Sequence, residues 1–127
     1  MSFIPDSKIQ DTESLYRAFH YLEWNFKENR PNSEVFKSSS PLSVDRDGER
    51  NENDILIGFR SRKNFDKCGL VKHTAKTYRD YNTEPIPNPE ESNIYHALVN
   101  GKGMIGTKKS HAKKLSKSAI LVFHALI

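Results

Sequence analysis

Apolar side chains recur along the chain in short runs that are separated by polar stretches. Leu15, Phe19 and Leu22 follow one another at helical spacing, so we predict a short helix over residues 12–24, although residues 15–20 also alternate as a strand would. Residues 55–59 form a compact apolar run that fits either a strand or a buried helix, because periodicity cannot separate the two at this length.

Other runs give clearer signals. Strands are predicted over four of them, at residues 42–44, 69–75, 94–99 and 120–127. For the last of these, a continued buried helix is the alternative. Three stretches rich in polar residues or proline are predicted to be exposed loops, at residues 27–40, 45–53 and 83–92.

A helix is predicted to begin near Thr107 and to carry two distinct faces. At about 100° per residue, Ala112, Leu115 and Ala119 share one narrow sector, and the lysines lie opposite it. The predicted fold is α+β, with a small mixed or antiparallel sheet and a basic amphipathic C-terminal helix packed on it. We expect one domain over residues 1–127, with residues 1–10 as a loose arm.

Charge is distributed unevenly along the 127 residues. The chain carries a formal net charge of +4, and residues 92–127 contribute six lysines and no acid. Hydrophobic residues make up 35% of the chain, which predicts a thin but real core. A one-sided excess of lysine predicts an anionic partner, because scattered charge would serve solubility equally well.

The cellular compartment is predicted from three negative signals. No apolar run is long enough to cross a bilayer, and the first residues lack the pattern of a secretory signal. Cys68 is the only cysteine, so no internal disulfide can form. We therefore expect a cytoplasmic protein without a membrane partner.

A glycine-rich segment precedes the predicted C-terminal helix. Residues 101–106 match G-x-G-x-x-G, but only 21 residues follow and none is acidic, which excludes a dinucleotide-binding fold. The order Gly106-Thr107-Lys108 also inverts the lysine and hydroxyl of a phosphate-binding loop. What remains is a candidate anion site at a helix N-terminus and its lysine face. Its predicted residues are Lys102, Gly103, Gly106, Thr107, Lys108, Lys109, Lys113 and Lys117.

The leading hypothesis is a small phosphate-recognising protein that binds nucleic acid through this loop and helix. Lysine without base-reading side chains predicts backbone contacts and little sequence preference. Tyr81 and Tyr95 are candidate stacking surfaces for single strands, although tyrosines at strand ends more often belong to a core. A plain solvated lysine face is an equally good interpretation of the charge pattern.

Two other function classes remain open. A small metal-independent enzyme acting on nucleic-acid or nucleotide phosphates would need a general base, an acid and a cation, with His96 and Arg17 as the first candidates. Lys102 and a second histidine, His73 or His20, could complete that set. The five histidines are too widely spaced for a metal motif, and no cofactor is predicted. The third class is an interaction module of antitoxin or adaptor type that docks on an acidic protein.

Several short segments resemble a group of small uncharacterised prokaryotic proteins. They lie at residues 15–17, 30–36, 42–45, 96–102 and 112–115. The resemblance implies a stand-alone prokaryotic domain and carries no catalytic role. It draws attention to the polar positions Arg17, Arg30, Ser33, Ser43 and His96.

Overall fold

A computed structural model describes residues 3–62 and 64–126, so Met1, Ser2, Lys63 and Ile127 lie outside the described residues. The strands are β1 (Ser14–His20), β2 (Trp24–Asn25), β3 (Arg30–Pro31), β4 (Leu42–Arg46), β5 (Cys68–Thr74), β6 (Thr83–Pro87), β7 (His96–Gly101) and β8 (Ile120–His124). The helices are α1 (Glu52–Arg60), α2 (Ala75–Asp80) and α3 (Lys109–Ser118). Short 3₁₀ turns cover Ser33–Val35 and Phe65–Lys67.

Six of the strands form one antiparallel sheet in the order β6-β7-β4-β1-β5-β8. Strands β2 and β3 pair separately as a small hairpin. The prediction of an α+β fold with an antiparallel sheet is therefore confirmed. None of the described helices combines the length and apolar composition that crossing a membrane requires.

The predicted helix over residues 12–24 is wrong, because this segment forms the central strand β1. Leu15 and Phe19 face one side of the sheet, whereas Tyr16 faces the other. Both sides of the strand are covered, so apolar side chains occur on both of its faces. Residues four apart share a face in a strand as well as in a helix, which explains the misleading spacing.

The sheet separates two cores of unequal size. The larger core packs β-strand residues such as Leu15 and Val99 against Ala112 and Leu115 of α3. The smaller core lies on the opposite face, where Tyr16 and Leu70 contact side chains from the α1 region. The two faces will be called the α3 face and the α1 face.

Residues 55–59, left open between strand and helix, belong to α1. Asn51 caps this helix, because its side-chain oxygen accepts a hydrogen bond of 2.8 Å from the backbone N–H of Asp54. Ile55 and Phe59, four residues apart, bury the inner face of the helix. The cap at Asn51 therefore favours a helix for this segment, where the apolar spacing alone allowed either a helix or a strand.

The predicted loop over residues 83–92 is wrong in its first half. Residues 83–87 form the edge strand β6, which pairs with β7 from Thr83–Gly101 to Pro87–Ala97. Proline lacks the backbone N–H, but an edge strand tolerates it because one side of its backbone needs no partner. At the other edge, the predicted C-terminal strand is confirmed over residues 120–124.

Residues 3–10, where the sequence predicts a loose arm, are tied to the sheet. Ile9 is buried in the larger core. Arg46 of β4 is 1% exposed, and its guanidinium donates to the carbonyl oxygen of Ser7 at 2.8 Å and to Oε1 of Glu13 at 2.8 Å. A buried arginine requires such acceptors, so the segment and the strand hold each other.

Gly106→Ala tests the link between the glycine-rich segment and the rest of the fold. Gly106 has φ +80°, and a Cβ there would overlap the carbonyl oxygen of Ser38. We expect the free energy of unfolding to fall by about 3 kcal/mol, from backbone strain and overlap together. Gly103→Ala is the matched control, since Gly103 has φ +75° with nothing within 4 Å of the added Cβ. In urea denaturation, Gly103→Ala should lower the free energy of unfolding by about 1 kcal/mol. Equal losses in the two variants would show that the close approach of Ser38 to Gly106 does not matter for stability.

His73 makes the stability of the protein sensitive to acid. Burial lowers its pKa from 6.5 to about 4, and only a hydrogen bond to the carbonyl oxygen of Leu115 opposes that effect. As the pH falls, the imidazole is therefore protonated in the unfolded chain before it is protonated in the folded one. The contribution of His73 to the free energy of unfolding is fully present above pH 6.5 and is lost between pH 6.5 and 4. The loss attributable to His73 is about 3 kcal/mol.

His73→Gln should flatten the pH dependence of the free energy of unfolding in this window. His20→Gln, at an exposed position, serves as the control and should leave the slope unchanged. An identical slope in the wild type and in His73→Gln would show that the buried imidazole does not set the acid response.

Candidate anion-binding cleft

A cleft on the α1 face opens where β1 and β4 diverge. These strands pair only at Leu15–Arg46 and Tyr16–Asp45, whereas β1 pairs with β5 along its whole length. The cleft has a volume of about 640 Å³. Its polar lining consists of Arg17, Ser43, Asp45, Arg50, Ser61, Arg62, Glu90, Ser92, Asn93, Tyr95 and His96. Apolar walls come mainly from Ile55 and Phe59 of α1.

Arg17 borders the gap between the two strands, and its side chain leaves β1 on the face that carries Leu15 and Phe19. Its Nε donates to the carbonyl oxygen of Val35 at 2.9 Å, and its Nη1 donates to the carbonyl oxygen of Ser43 at 2.9 Å. Burial lowers the pKa of the guanidinium. Among the described residues no carboxylate forms an ion pair with it. The Nη2 group forms no hydrogen bond with these residues.

Arg50 contributes a second guanidinium that lacks a carboxylate partner in the described part of the chain. Its Nε donates to the carbonyl oxygen of Asp47 and its Nη2 to that of Arg46, each at 2.9 Å. The guanidinium carbon lies 3.5 Å from the centre of the Tyr95 ring. Nη1 lies 3.7 Å from the position that a Cβ would take on Gly58, so the glycine leaves room for it.

The third arginine of the cleft is neutralised. Arg62 pairs with Asp45, whose side chain is only 6% exposed, and the other Asp45 oxygen accepts a hydrogen bond of 3.0 Å from the Asn93 amide. Arg62 also covers the Phe59 ring at 3.9 Å. The buried Asp45 carboxylate is therefore used twice, Glu90 is the second acid of the lining, and neither forms an ion pair with Arg17 or Arg50.

His96 lies directly opposite Asp45 in the register of β7 and β4. Its Nδ1 is 3.0 Å from the backbone carbonyl oxygen of Asn88 and 3.0 Å from the side-chain oxygen of the same residue. A carbonyl only accepts hydrogen bonds, so Nδ1 carries a proton and Nε2 is the unprotonated nitrogen of the neutral ring. Glu90 stands at 3.7 Å from Nδ1.

The structure brings two of the predicted catalytic residues, Arg17 and His96, into this one cleft. The other candidates lie elsewhere: Lys102, directly after β7, donates to the carbonyl oxygen of Arg79 at 3.2 Å and does not line the cleft. His73 is buried in contact with Phe36 and Tyr78 on the α3 face, and His20 is exposed beside Tyr21.

Backbone N–H groups of the glycine-rich segment form hydrogen bonds within the protein. The N–H groups of Lys102, Met104 and Gly106 donate to Asn82, Gly101 and Asn100, respectively. Thr107 is buried, and its hydroxyl donates to the carbonyl oxygen of Phe36. These groups are therefore engaged within the protein rather than directed at a ligand.

The predicted lysines of α3 lie on a second surface. Lys108, Lys109, Lys113 and Lys117 are all exposed. Lys113 and Lys117 line a groove of about 450 Å³ on the α3 face together with Arg30 and Ser33. The two candidate stacking tyrosines are engaged internally, because Tyr95 lies between Phe3 and Arg50, and Tyr81 packs on the larger core beneath Lys114.

Sequence reasoning missed Arg50, Arg62 and Asp45. All three fall in or beside segments that were predicted as exposed turn or left ambiguous. The sequence does hold one signal for the two arginines. Once residues 52–60 are recognised as a helix, Arg50 just before it and Arg62 just after it are expected at its two ends, on the same surface.

The described residues contain no group of three or more histidine, cysteine or acidic side chains arranged to hold a metal ion. Comparisons of the chain with protein-family models, with curated proteins and with solved structures find no match.

Proposed function

We propose that this protein binds a phosphate-bearing ligand in the cleft between β1, β4 and α1. The observation that carries the proposal is the Arg50 guanidinium, which lines the cleft without a carboxylate partner among the described residues, while Arg17 borders the same cleft from the gap between β1 and β4. A partly desolvated cation is costly unless an anion compensates it. A bound anion would supply that compensation.

Arginine favours phosphate over other anions. Its planar guanidinium donates parallel hydrogen bonds that match two oxygens of a phosphate or carboxylate group. Backbone carbonyls hold both side chains in place, so little rotamer entropy would be lost on binding. The cleft volume of about 640 Å³ lies within the range typical of small-molecule sites.

Neutral groups around the arginines would orient the rest of the ligand. Ser43, Ser61 and Ser92 offer hydroxyls, and Asn93 is fixed by its bond to Asp45. The buried Asp45 excludes a second anion from its own side of the cleft by repulsion. A ligand with one phosphate and a polar body, such as a nucleotide, fits this distribution.

Arg50→Gln should weaken binding of inorganic phosphate and of nucleoside monophosphates by roughly tenfold to hundredfold, because one charged hydrogen-bond donor is lost. Isothermal titration calorimetry at low salt measures this. Arg60→Gln is the matched control: Arg60 is exposed at the end of α1, rests on Phe123 and does not line the cleft. Equal affinity in Arg50→Gln and wild type would contradict the proposal.

Arg17→Lys provides a second test that keeps the charge but removes the planar fork. The lysine can still compensate part of the negative charge of the ligand, so we expect a smaller loss of affinity than for Arg17→Met. Thermal denaturation must accompany both measurements, since Arg17 also joins β1 to Ser43 and Val35.

A second candidate function is acid–base chemistry on the bound phosphate ester. The specific observation is the His96 ring, whose Nδ1 is fixed by Asn88 so that Nε2 is left to accept a proton. Arg50, which lines the same cleft, would stabilise developing negative charge on a phosphoryl oxygen.

His96→Ala should abolish turnover of oligonucleotides or nucleotide esters while retaining phosphate binding within about threefold, because a general base contributes to rate far more than to ground-state affinity. His20→Ala, at an exposed site outside the cleft, should keep full activity. If the wild type shows no turnover of any such ester, the protein is a binding module and this second function is rejected.

A further inference from the structure

Arg50 stands at the end of a row in which two aromatic rings lie between two guanidinium groups. Its guanidinium carbon is 3.5 Å from the centre of the Tyr95 ring. The Tyr95 ring contacts the Phe3 ring at 5.2 Å between centroids, with 30° between the ring planes. The guanidinium carbon of Arg46 lies 4.8 Å from the centre of the Phe3 ring. A continuous row of contacts therefore joins the cleft to the N-terminal segment, residues 3–10.

The Tyr95 ring is fixed from several sides. Its backbone carbonyl oxygen accepts a hydrogen bond of 2.7 Å from the N–H of Arg46, and its own N–H donates to the side-chain oxygen of Asn93 at 3.1 Å. A Cβ on Gly48 would lie 2.3 Å from Cε1 of Tyr95, so the ring packs directly on the turn that also carries Arg50. Among the described residues, none forms a hydrogen bond with the Tyr95 hydroxyl. The ring, rather than the hydroxyl, makes the contacts.

Arg46 fixes the far end of the row. It is 1% exposed, and its Nη1 donates to the carbonyl oxygen of Ser7 at 2.8 Å. Its Nη2 and Nε donate to the two carboxylate oxygens of Glu13, at 2.8 Å and 3.0 Å. Arg50 differs, because its Nη1 forms no hydrogen bond with the described residues. The segment that carries Phe3 is thus held by an arginine whose own charge is already compensated.

The stack limits where the Arg50 guanidinium can point. Two hydrogen bonds to backbone carbonyls hold its Nε and Nη2, and the Tyr95 ring attracts it from the ring face. If the ring tilts away, the guanidinium gains rotamer freedom that a bound phosphate would remove again, at a cost in affinity. Phe3 packs on the ring and does not itself line the cleft. An effect of Phe3 on binding would therefore act through Tyr95 and Arg50.

We infer that Phe3 is a positioning residue for the cleft, and that the N-terminal segment sets the phosphate affinity of Arg50 through the Tyr95 ring. This role rests on the proposed function, because it concerns the same guanidinium. It gives the N-terminal segment a part in binding although the segment lies outside the cleft. Loss of the Phe3 ring should loosen Arg50 without removing any group that contacts the ligand.

The test compares three single variants by calorimetric titration with inorganic phosphate at low salt. Phe3→Leu keeps an apolar side chain but removes the ring, and it should weaken binding by roughly threefold to tenfold. Tyr95→Phe loses only the hydroxyl and should bind phosphate as the wild type does. Phe26→Leu is the matched control, because Phe26 is exposed, contacts His124 and does not line the cleft.

The Nε–H resonance of Arg50 in the ligand-free protein separates positioning from stabilisation of the fold. A guanidinium 3.5 Å from a ring centre experiences the ring current of that ring, so its resonance reports the stack. The resonance should move in Phe3→Leu and keep its position in Tyr95→Phe and Phe26→Leu. A lower melting temperature of Phe3→Leu with an unmoved Arg50 resonance would make Phe3 purely structural and overturn the inference.

The two measurements also keep this role apart from the cleft proposal. If the wild type binds phosphate and Phe3→Leu binds it equally well, the cleft stands and the positioning role is overturned. If the wild type binds no phosphate, the proposed function fails. A shifted Arg50 resonance in Phe3→Leu would then still support the coupling of the N-terminal segment to Arg50, and an unshifted one would overturn it.

Discussion

Beyond the Tyr16–Asp45 pair, strands β1 and β4 diverge, and the Arg17 guanidinium replaces some of the hydrogen bonds that the strands no longer share. It ties β1 to the Ser43 carbonyl of β4 and to the 3₁₀ turn that ends at Val35. A cation is thereby fixed inside the sheet without a carboxylate partner in the described residues. The cleft, its positive charge and the position of α1 over it all depend on this divergence.

The same constraint explains why structural and binding roles coincide at Arg17. Its Nη1 joins β1 to β4 and its Nε joins β1 to the turn that ends at Val35, whereas its Nη2 forms no hydrogen bond with the described residues. Arg50 follows the same scheme, since backbone carbonyls and the Tyr95 ring position it. Side chains that the fold holds in place before a ligand arrives lose little conformational entropy on binding, so a preorganised site binds more tightly.

The sequence allowed the α+β class, the C-terminal helix and several strands to be predicted, because caps, glycines and apolar runs are local signals. The prediction was wrong for β1, where residues four apart share a face in a strand as well as in a helix, and for β6, where prolines occupy an edge strand. Arg17 and His96 could be nominated, but only strand register places His96 opposite Asp45 across 51 positions of sequence. Arg50 and Arg62 escaped notice because their shared cleft exists only after α1 packs on the sheet.

The most direct test of the central claim is to follow the arginine side-chain N–H resonances by NMR while inorganic phosphate is added. The account predicts that the Arg17 and Arg50 signals shift together and saturate with one dissociation constant, while the Arg60 signal stays in place. Shifts that never saturate, or that are equal for all arginines, would show that phosphate meets only a general positive surface and that the cleft is not a site.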